Sequence, residues 1–302
     1  MKLKKIGIKI IGTGSLAILF IFLFSLCLMA GEEGKPQVLQ EMSWMDVQEN
    51  LKQNDMVIIP IGSTEQHGPH LPLGTDSYIG LNVSRLISVR TGVVVAPVLW
   101  SGYSVYHSGF PGVLSLKPET MEQVLYETAT ILIKYGFRKI MFFNSHGGNS
   151  VVENKVIHRI NHTTEAIAVS IGIGSPIQKG GGEEDVFFDN HAGLSETSWM
   201  LYVRPDLVNM ERAKKAEITF TPKQQALLEA GRKNPDLMMV WNTLFGVPVE
   251  TKKGGASHEI SSNGIWSFED PALATKERGE KAAESMADYA VKFIEAWKQI
   301  KD

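Results

Sequence analysis

Cysteine is nearly missing from this chain: Cys27 is the single example in 302 residues, so no disulfide can close within it. Positive charge is not in excess either. Thirty Lys and Arg stand against 33 Asp and Glu, for a formal net charge of −3, which excludes the basic footprint of a nucleic-acid binder. No Gly-x-Gly-x-x-Gly turn and no Walker A loop occurs, so the common phosphate cradles are missing. No Gly-x-Ser-x-Gly elbow is present, which argues against a serine enzyme of the α/β-hydrolase kind. No repeat of solenoid period is found. The 13 Pro and 28 Gly are scattered, which excludes collagen-like and wholly disordered chains.

What is present begins with an N-terminal segment unlike the rest. Lys2, Lys4, Lys5 and Lys9 precede an apolar run over 10–30, and no acidic residue comes before Glu32. A charged start, an apolar stretch and a small residue at Ala30 form the pattern of a secretory signal. The run is also about 20 residues long, the length needed to span a bilayer, so a retained membrane anchor fits equally. Either way residues 31–302 are expected outside the cytoplasm, in the periplasm, extracellular, or on the outer face of the membrane. Losing residues 1–30 would take the formal charge from −3 to −7 and remove Cys27.

From there the chain reads as one domain over 31–302 that alternates strand and helix. Apolar runs over 56–61, 92–98, 138–143 and 166–173 read as buried strands. Helical spacing over 120–135 places Met121, Val124, Leu125, Thr128, Ile131 and Leu132 on one face, and Gly136 is placed to end the helix. Helices are also predicted over 151–160 and 196–202, with a long amphipathic one over 276–300. Continuous apolar strands between helices predict a mostly parallel sheet covered on both faces, a three-layer α/β/α fold. Such folds carry their sites beyond the carboxyl ends of strands.

Three polar constellations stand at such ends. The first follows 56–61 directly: Gly62-Ser63-Thr64-Glu65-Gln66-His67-Gly68-Pro69-His70-Leu71-Pro72-Leu73-Gly74-Thr75-Asp76. Glu65 and His67 are two apart, on one side of an extended segment, and Asp76 returns nine residues after His67 across a Pro- and Gly-rich turn. Two carboxylates and an imidazole suit a borderline divalent ion such as Zn, Mn or Fe. They equally suit a polar loop whose members hydrogen-bond one another. The second is Asn144-Ser145-His146-Gly147-Gly148-Asn149, where His146 adds an imidazole and the glycines allow close approach of backbone. The third is His191-Ala192-Gly193-Leu194-Ser195-Glu196, where Ser195 is placed to cap the helix that Glu196 opens. Glu196 there suits the helix dipole as well as it suits a metal. His191 is a candidate proton carrier near neutral pH. Together Glu65, His67, Asp76, His146 and Glu196 make five candidate ligands, a set that two ions sharing a carboxylate would use.

The string STEQHGPHLPLGTD, the strand-loop FFNSHGGN and the helix entry DNHAGLSETS resemble the signatures of the creatininase (creatinine amidohydrolase) family. Tyr103 to Gly112 and the stretch Asn263-Gly264-Ile265 to Gly279 resemble its softer motifs, in the same order. The resemblance implies hydrolysis of a non-peptide C–N bond in a small molecule, a cyclic amide or a formamide. It also implies two divalent metals per chain and a homo-oligomer, often a hexamer. It assigns Glu65, His67, Asp76, His146 and Glu196 to the metals, with Asp76 bridging. Metal-activated hydroxide is then the nucleophile, His191 carries the proton, and Glu196 belongs to the catalytic set.

Creatininase itself carries Tyr and Glu after the metal-binding histidine, where this chain has Gly147 and Gly148. Phe187-Phe188 likewise replaces its Trp-Asp. The chain is therefore an HGGN-type member in which the creatinine pocket is not reproduced. Other readings are a metal-dependent hydrolase of a peptide or lactone, and a non-catalytic ligand-binding protein on this scaffold. His70 and His107 suit either a pocket wall or loop hydrogen bonds. In 211–262 the residues Trp241, Phe245, Lys252, Lys253 and His258 carry no motif, and surface packing is the expectation for each.

Overall fold

The computed structural model describes residues 34–172 and 188–300. The chain divides into two units, Met1–Lys35 and Pro36–Asp302, and the account below concerns the second. The basic and apolar segment over 1–30 lies outside the described residues, as does Phe187. Among the described residues no helix is long and apolar enough to cross a membrane.

Helix α1 (Trp44–Leu51) starts from a reciprocal cap between Ser43 and Asp46, and β1 (Met56–Ile61) follows. Next come α2 (Thr75–Thr91), β2 (Val94–Val95), α3 (Pro118–Tyr135), β3 (Lys139–Asn144), α4 (Ser150–Thr163) and β4 (Ile167–Ser170). The second half holds β5 (Asp189–His191), α5 (Leu194–Val203), α6 (Pro222–Lys233), α7 (Met238–Asn242) and α8 (Ser257–Ile260). It closes with β6 (Trp266–Ser267) and α9 (Lys276–Lys298).

Four strands pair in parallel in the order β2-β1-β3-β4, and β5 pairs antiparallel with β6. Every residue of β1 and β3 is buried, as strands covered on both faces must be. Alternate side chains then serve two cores. Val57, Ile59, Ile140 and Phe142 pack with Met121 and Leu125 of α3 and Val152 and Val156 of α4. Ile58, Met141 and Phe143 pack with Val83 and Ile87 of α2 and with Ala287, Ala290 and Ile294 of α9. The sheet between these two helix layers is the predicted α/β/α sandwich.

Three local expectations are corrected. The strand expected over 92–98 shrinks to Val94–Val95, because past Ala96, whose N–H donates to the Ile58 carbonyl, the pairing with β1 is interrupted and returns only as a bridge between Leu99 and Ile61. On α3 the buried stripe is Met121, Leu125, Ala129, Leu132 and Ile133, while Val124 and Ile131 face outward. Gly136 does end α3, at φ 119°, a left-handed conformation that costs glycine little. Ser195 does not cap α5: it lies inside the helix, and the Asp189 carboxylate accepts its N–H at 2.9 Å instead.

A third apolar cluster lies outside the sandwich. Phe188, Phe220, Leu228, Trp241, Ile260 and Trp266 are buried together, with Phe245 and Met238 packed on them. Trp241, 1% exposed, is therefore a core residue and not surface packing, because the rings of 211–262 bury against one another.

Candidate metal centre

The in-register pairing of β1 with β3 ends on Ile61 beside Asn144, so two loops leave the sheet side by side. Buried polar side chains tie these loops to each other. Ser145 Oγ donates to the Asp76 carbonyl at 2.7 Å, and Asn149 Nδ2 donates to the Gly62 carbonyl at 3.0 Å. Asn144 Oδ1 accepts the His146 N–H at 3.0 Å, and Asn144 Nδ2 donates to Glu153 Oε2 at 3.1 Å. Glu153 is buried, which pushes its carboxyl up to about 7 against the lowering effect of its hydrogen bonds. The third loop joins β5 to α5. In it Ala192 is a non-glycine residue at φ 52°, and its N–H donates to Glu196 Oε2 at 2.6 Å.

All six residues singled out in the sequence meet where these loops converge. Asp76 sits between two imidazoles: Oδ1 is 3.2 Å from His67 Nε2, and Oδ2 is 3.3 Å from His146 Nδ1. Glu65 Oε2 is 3.2 Å from His146 Nδ1, and Glu196 Oε2 is 3.7 Å from His67 Nε2. His191 Nδ1 is 3.7 Å from Glu65 Oε1. Glu65, His67, Asp76, His146 and His191 are all buried.

The far nitrogen of each ligand-type ring is held by a carbonyl. His67 Nδ1–H donates to the Glu65 carbonyl at 3.1 Å, and His146 Nε2–H donates to the Tyr103 carbonyl at 3.2 Å. The opposite nitrogens are thereby turned toward the carboxylates, the outer-shell arrangement that orients metal-binding imidazoles. Glu65 Oε1, Glu65 Oε2 and Asp76 Oδ2 are buried without a hydrogen-bond partner, although ring nitrogens lie within 3.3 Å of Glu65 Oε2 and Asp76 Oδ2. Leaving a buried acceptor unpaired costs roughly 1–3 kcal/mol, and more for a charged one. One ligand atom from each of Glu65, His67 and Asp76 lies within 4.8 Å of the others, close enough together to hold a divalent cation.

The electrostatics point the same way. Burial acts to lower the His67 pKa, but the Asp76 and Glu196 carboxylates outweigh it and raise it to about 10. His146 is likewise raised against burial, chiefly by Glu65. Glu65 stays ionised despite burial because His107 and His146 flank it. Glu196 is pushed up to about 7 by burial, and the Asp76 charge adds to the rise. The cluster draws positive charge to its centre.

His107 and His70 part company. His107 faces the site, with Nε2 3.1 Å from Glu65 Oε1. His70 is a fastening: its Nε2–H donates to Thr197 Oγ1 at 2.8 Å, and burial, then the His67 charge, lowers its pKa to about 4. Sequence reasoning missed Gln66, Tyr106 and Ser257. Tyr106 lay inside a recognised aromatic-His segment, whereas nothing in the sequence marks Ser257.

The cluster forms one end of a cavity of about 470 Å³. Tyr103, Tyr106, Phe245 and Trp266 give it an aromatic wall, and Gly147, Gly148 and Val151 another side. A Cβ on Gly147 would meet nothing within 4 Å. This volume suits a small molecule held between a polar end and apolar walls.

The sequence matches the family model for creatininase, creatinine amidohydrolase, over residues 40–294. It is 28% identical over 265 residues to a 3-dehydro-scyllo-inosose hydrolase of Thermotoga maritima, covering 84% of this chain and 81% of that one. It is 31% identical over 251 residues to a mycofactocin precursor peptide peptidase of Mycolicibacterium smegmatis, covering 80% and 85%. A solved creatininase variant of Zn–Zn type shares the fold at TM-score 0.67 and 22% identity, over 88% of this chain and 100% of that one. A Mn creatininase does so at 0.65 and 20%, with the same coverage. The motifs, the sandwich and the family match agree: this chain belongs to the creatininase family.

Proposed function

We propose that the protein is a metal-dependent amidohydrolase that cleaves a non-peptide C–N bond in a small molecule, a cyclic amide or a formamide. One observation carries the reading: Asp76 divides its two oxygens between His67 and His146 at the polar end of a cavity of about 470 Å³. Relatives named as hydrolases, and fold neighbours in Zn–Zn and Mn forms, support it.

Glu65, His146 and Asp76 would hold one divalent ion, and His67, Asp76 and Glu196 a second, with Zn, Mn or Fe the suitable elements. Ions so held supply Lewis acidity toward an acyl oxygen and an acidified water. The protein does the rest. The aromatic wall of Tyr103, Tyr106, Phe245 and Trp266 holds the body of the substrate and excludes bulk water. His191 donates its Nε2–H to the Gln66 carbonyl at 2.6 Å, which leaves Nδ1 bare toward the site. That nitrogen can accept a proton from attacking water and return it to the leaving nitrogen. The apolar run over 10–30 supports action outside the cytoplasm, and the family resemblance supports a homo-oligomer, a hexamer.

The test is metal content per chain by elemental analysis, with turnover measured on cyclic amides, formamides, lactones and short peptides. Bound divalent metal together with turnover confined to the first two classes would establish the reading. Turnover of lactones or peptides alone would move the chemistry to another bond. No metal after purification without chelator, and none taken up from added Zn or Mn, would remove the reading and leave a binding protein.

A further inference from the structure

Neighbouring residues of a regular strand point to opposite faces. Asn190 and His191 are neighbours on β5, yet both line the cavity. The cause is a β-bulge. Asp189 pairs with Ser267 and His191 with Trp266, so β5 takes two steps where β6 takes one, and Asn190 is the extra residue. Bulges re-aim a side chain and are frequent beside active sites. Both flanks of this one are fastened. The Asp189 carboxylate accepts the Ser195 N–H at 2.9 Å, and His191 Nε2–H donates to the Gln66 carbonyl at 2.6 Å. Asn190 is thus mounted on a fixed backbone, which lowers the ordering cost of any contact it makes.

The Asn190 amide is also uncommitted. Among the other uncharged polar groups of the wall, Ser145 Oγ donates to the Asp76 carbonyl at 2.7 Å, and the Tyr106 hydroxyl meets His146 Nε2 at 3.1 Å. The exposed Asn190 side chain and the Tyr103 hydroxyl have no hydrogen-bond partner among the described residues. The two differ in what they can read. A hydroxyl offers donor and acceptor at one atom, whereas a side-chain amide presents them side by side, the complement of an N–H and a C=O on one edge. A small ring holds its amide cis, which puts both groups on one edge. An open-chain amide is trans and turns them apart.

We propose that Asn190 is a specificity-determining residue whose amide recognises the N–H and C=O edge of a cyclic amide, so that lactams, cyclic imides and cyclic ureides with a free N–H are the class the cavity accepts. The proposal rests on the amidohydrolase reading and narrows it, favouring the cyclic amide over the formamide. The aromatic wall that includes Tyr106 and Trp266 suits the flat body of such a ring, and Asn190 reads its polar edge.

NMR titrations of the full chain with Zn present test this. The probes are 2-pyrrolidinone, a cyclic amide; γ-butyrolactone, the same ring without the N–H; and N-ethylacetamide, an open-chain amide of similar size. The cyclic amide should bind tightest. Asn190→Ala should weaken it by about 5–10-fold, the worth of a neutral hydrogen bond, and leave the lactone's affinity and the metal content as in the parent. Asn190→Gln, with the same amide on a longer stem, should recover part of the loss. On any cyclic amide that is turned over, Asn190→Ala should raise KM by a similar factor and lower kcat less. Equal affinity of the parent for the three probes, no binding of 2-pyrrolidinone, or equal affinity of parent and Asn190→Ala for it would each overturn the proposal. Binding of the cyclic amide that Asn190→Ala weakens, without turnover of any amide, would sink the hydrolase reading and leave recognition by Asn190 standing. Turnover that Asn190→Ala leaves at ordinary KM would sink this proposal alone.

Discussion

The Tyr106 hydroxyl lies 3.1 Å from Nε2 of His146, and the two rings run nearly parallel, 15° apart, with centroids separated by 6.1 Å. This contact occupies the space beside Gly148. A Cβ there would fall 2.5 Å from both His146 Nε2 and the Tyr106 hydroxyl and would press on the Tyr103 carbonyl as well.

Gly148→Ala should therefore displace the ring of His146. Overpacking of this kind costs about 1–3 kcal/mol. The expected result is a lowered Tm together with lost metal, read by thermal melting and elemental analysis. Gly147→Ala is the control: with nothing near its Cβ, it should change neither.

Asp76 and Glu196 should differ when removed. Asp76 stands between His67 and His146, so Asp76→Ala should empty both proposed ion positions. Glu196 pairs with His67, at 3.7 Å, so Glu196→Ala should release one ion and retain the other. Metal content of the two variants, measured side by side, checks the division. Full occupancy in Asp76→Ala would sink the ligand assignment.

His191→Ala should keep its metal and lose most turnover, by about 10²–10⁴-fold for a proton carrier. Ordinary turnover in the variant would take His191 out of that role.

Glu153 offers a test of the scaffold instead of the chemistry. Burial raises its folded pKa to about 7 from an ordinary value of 4.5. The folded state thus holds a proton that the unfolded state has released between those values. Stability from this group is full below about pH 4.5 and is lost as pH rises toward 7. Glu153→Gln abolishes the dependence. It should be more stable than the parent at pH 8, by up to about 3 kcal/mol from a shift near 2.5 units, with the gap closing near pH 4. Denaturant melts at the two pH values measure it.

The metal end was legible because its signals are local. Glu65, His67, Asp76, His146 and Glu196 each follow an apolar strand or open a helix, and a parallel sheet brings such points together. The details that failed depend on tertiary geometry. Ser195 is the natural cap by sequence, but the helix starts before it, and β5 delivers Asp189, whose carboxylate accepts the N–H of Ser195 itself in the first turn. Val124 fits the helical stripe of α3 by spacing, yet the core meets that helix at a different angle and takes Ala129 instead. The stretch 211–262 was opaque because its contribution is made by rings burying against rings, and by one serine whose partners Gln66 and His107 are remote in sequence.

The cavity wall is drawn from more than one part of the chain. Tyr103, Tyr106 and Gly147 lie among the loops that carry the carboxylates and imidazoles, whereas Phe245 belongs to the later stretch 211–262, whose rings bury together with Tyr106, Phe188 and Trp266. The side of the cavity that Phe245 forms can therefore change without touching the loops that carry Asp76 and His146. Swapping that stretch between relatives is a direct route to a cavity of another shape, and Gly147, whose Cβ would meet nothing within 4 Å, leaves room for a differently shaped guest.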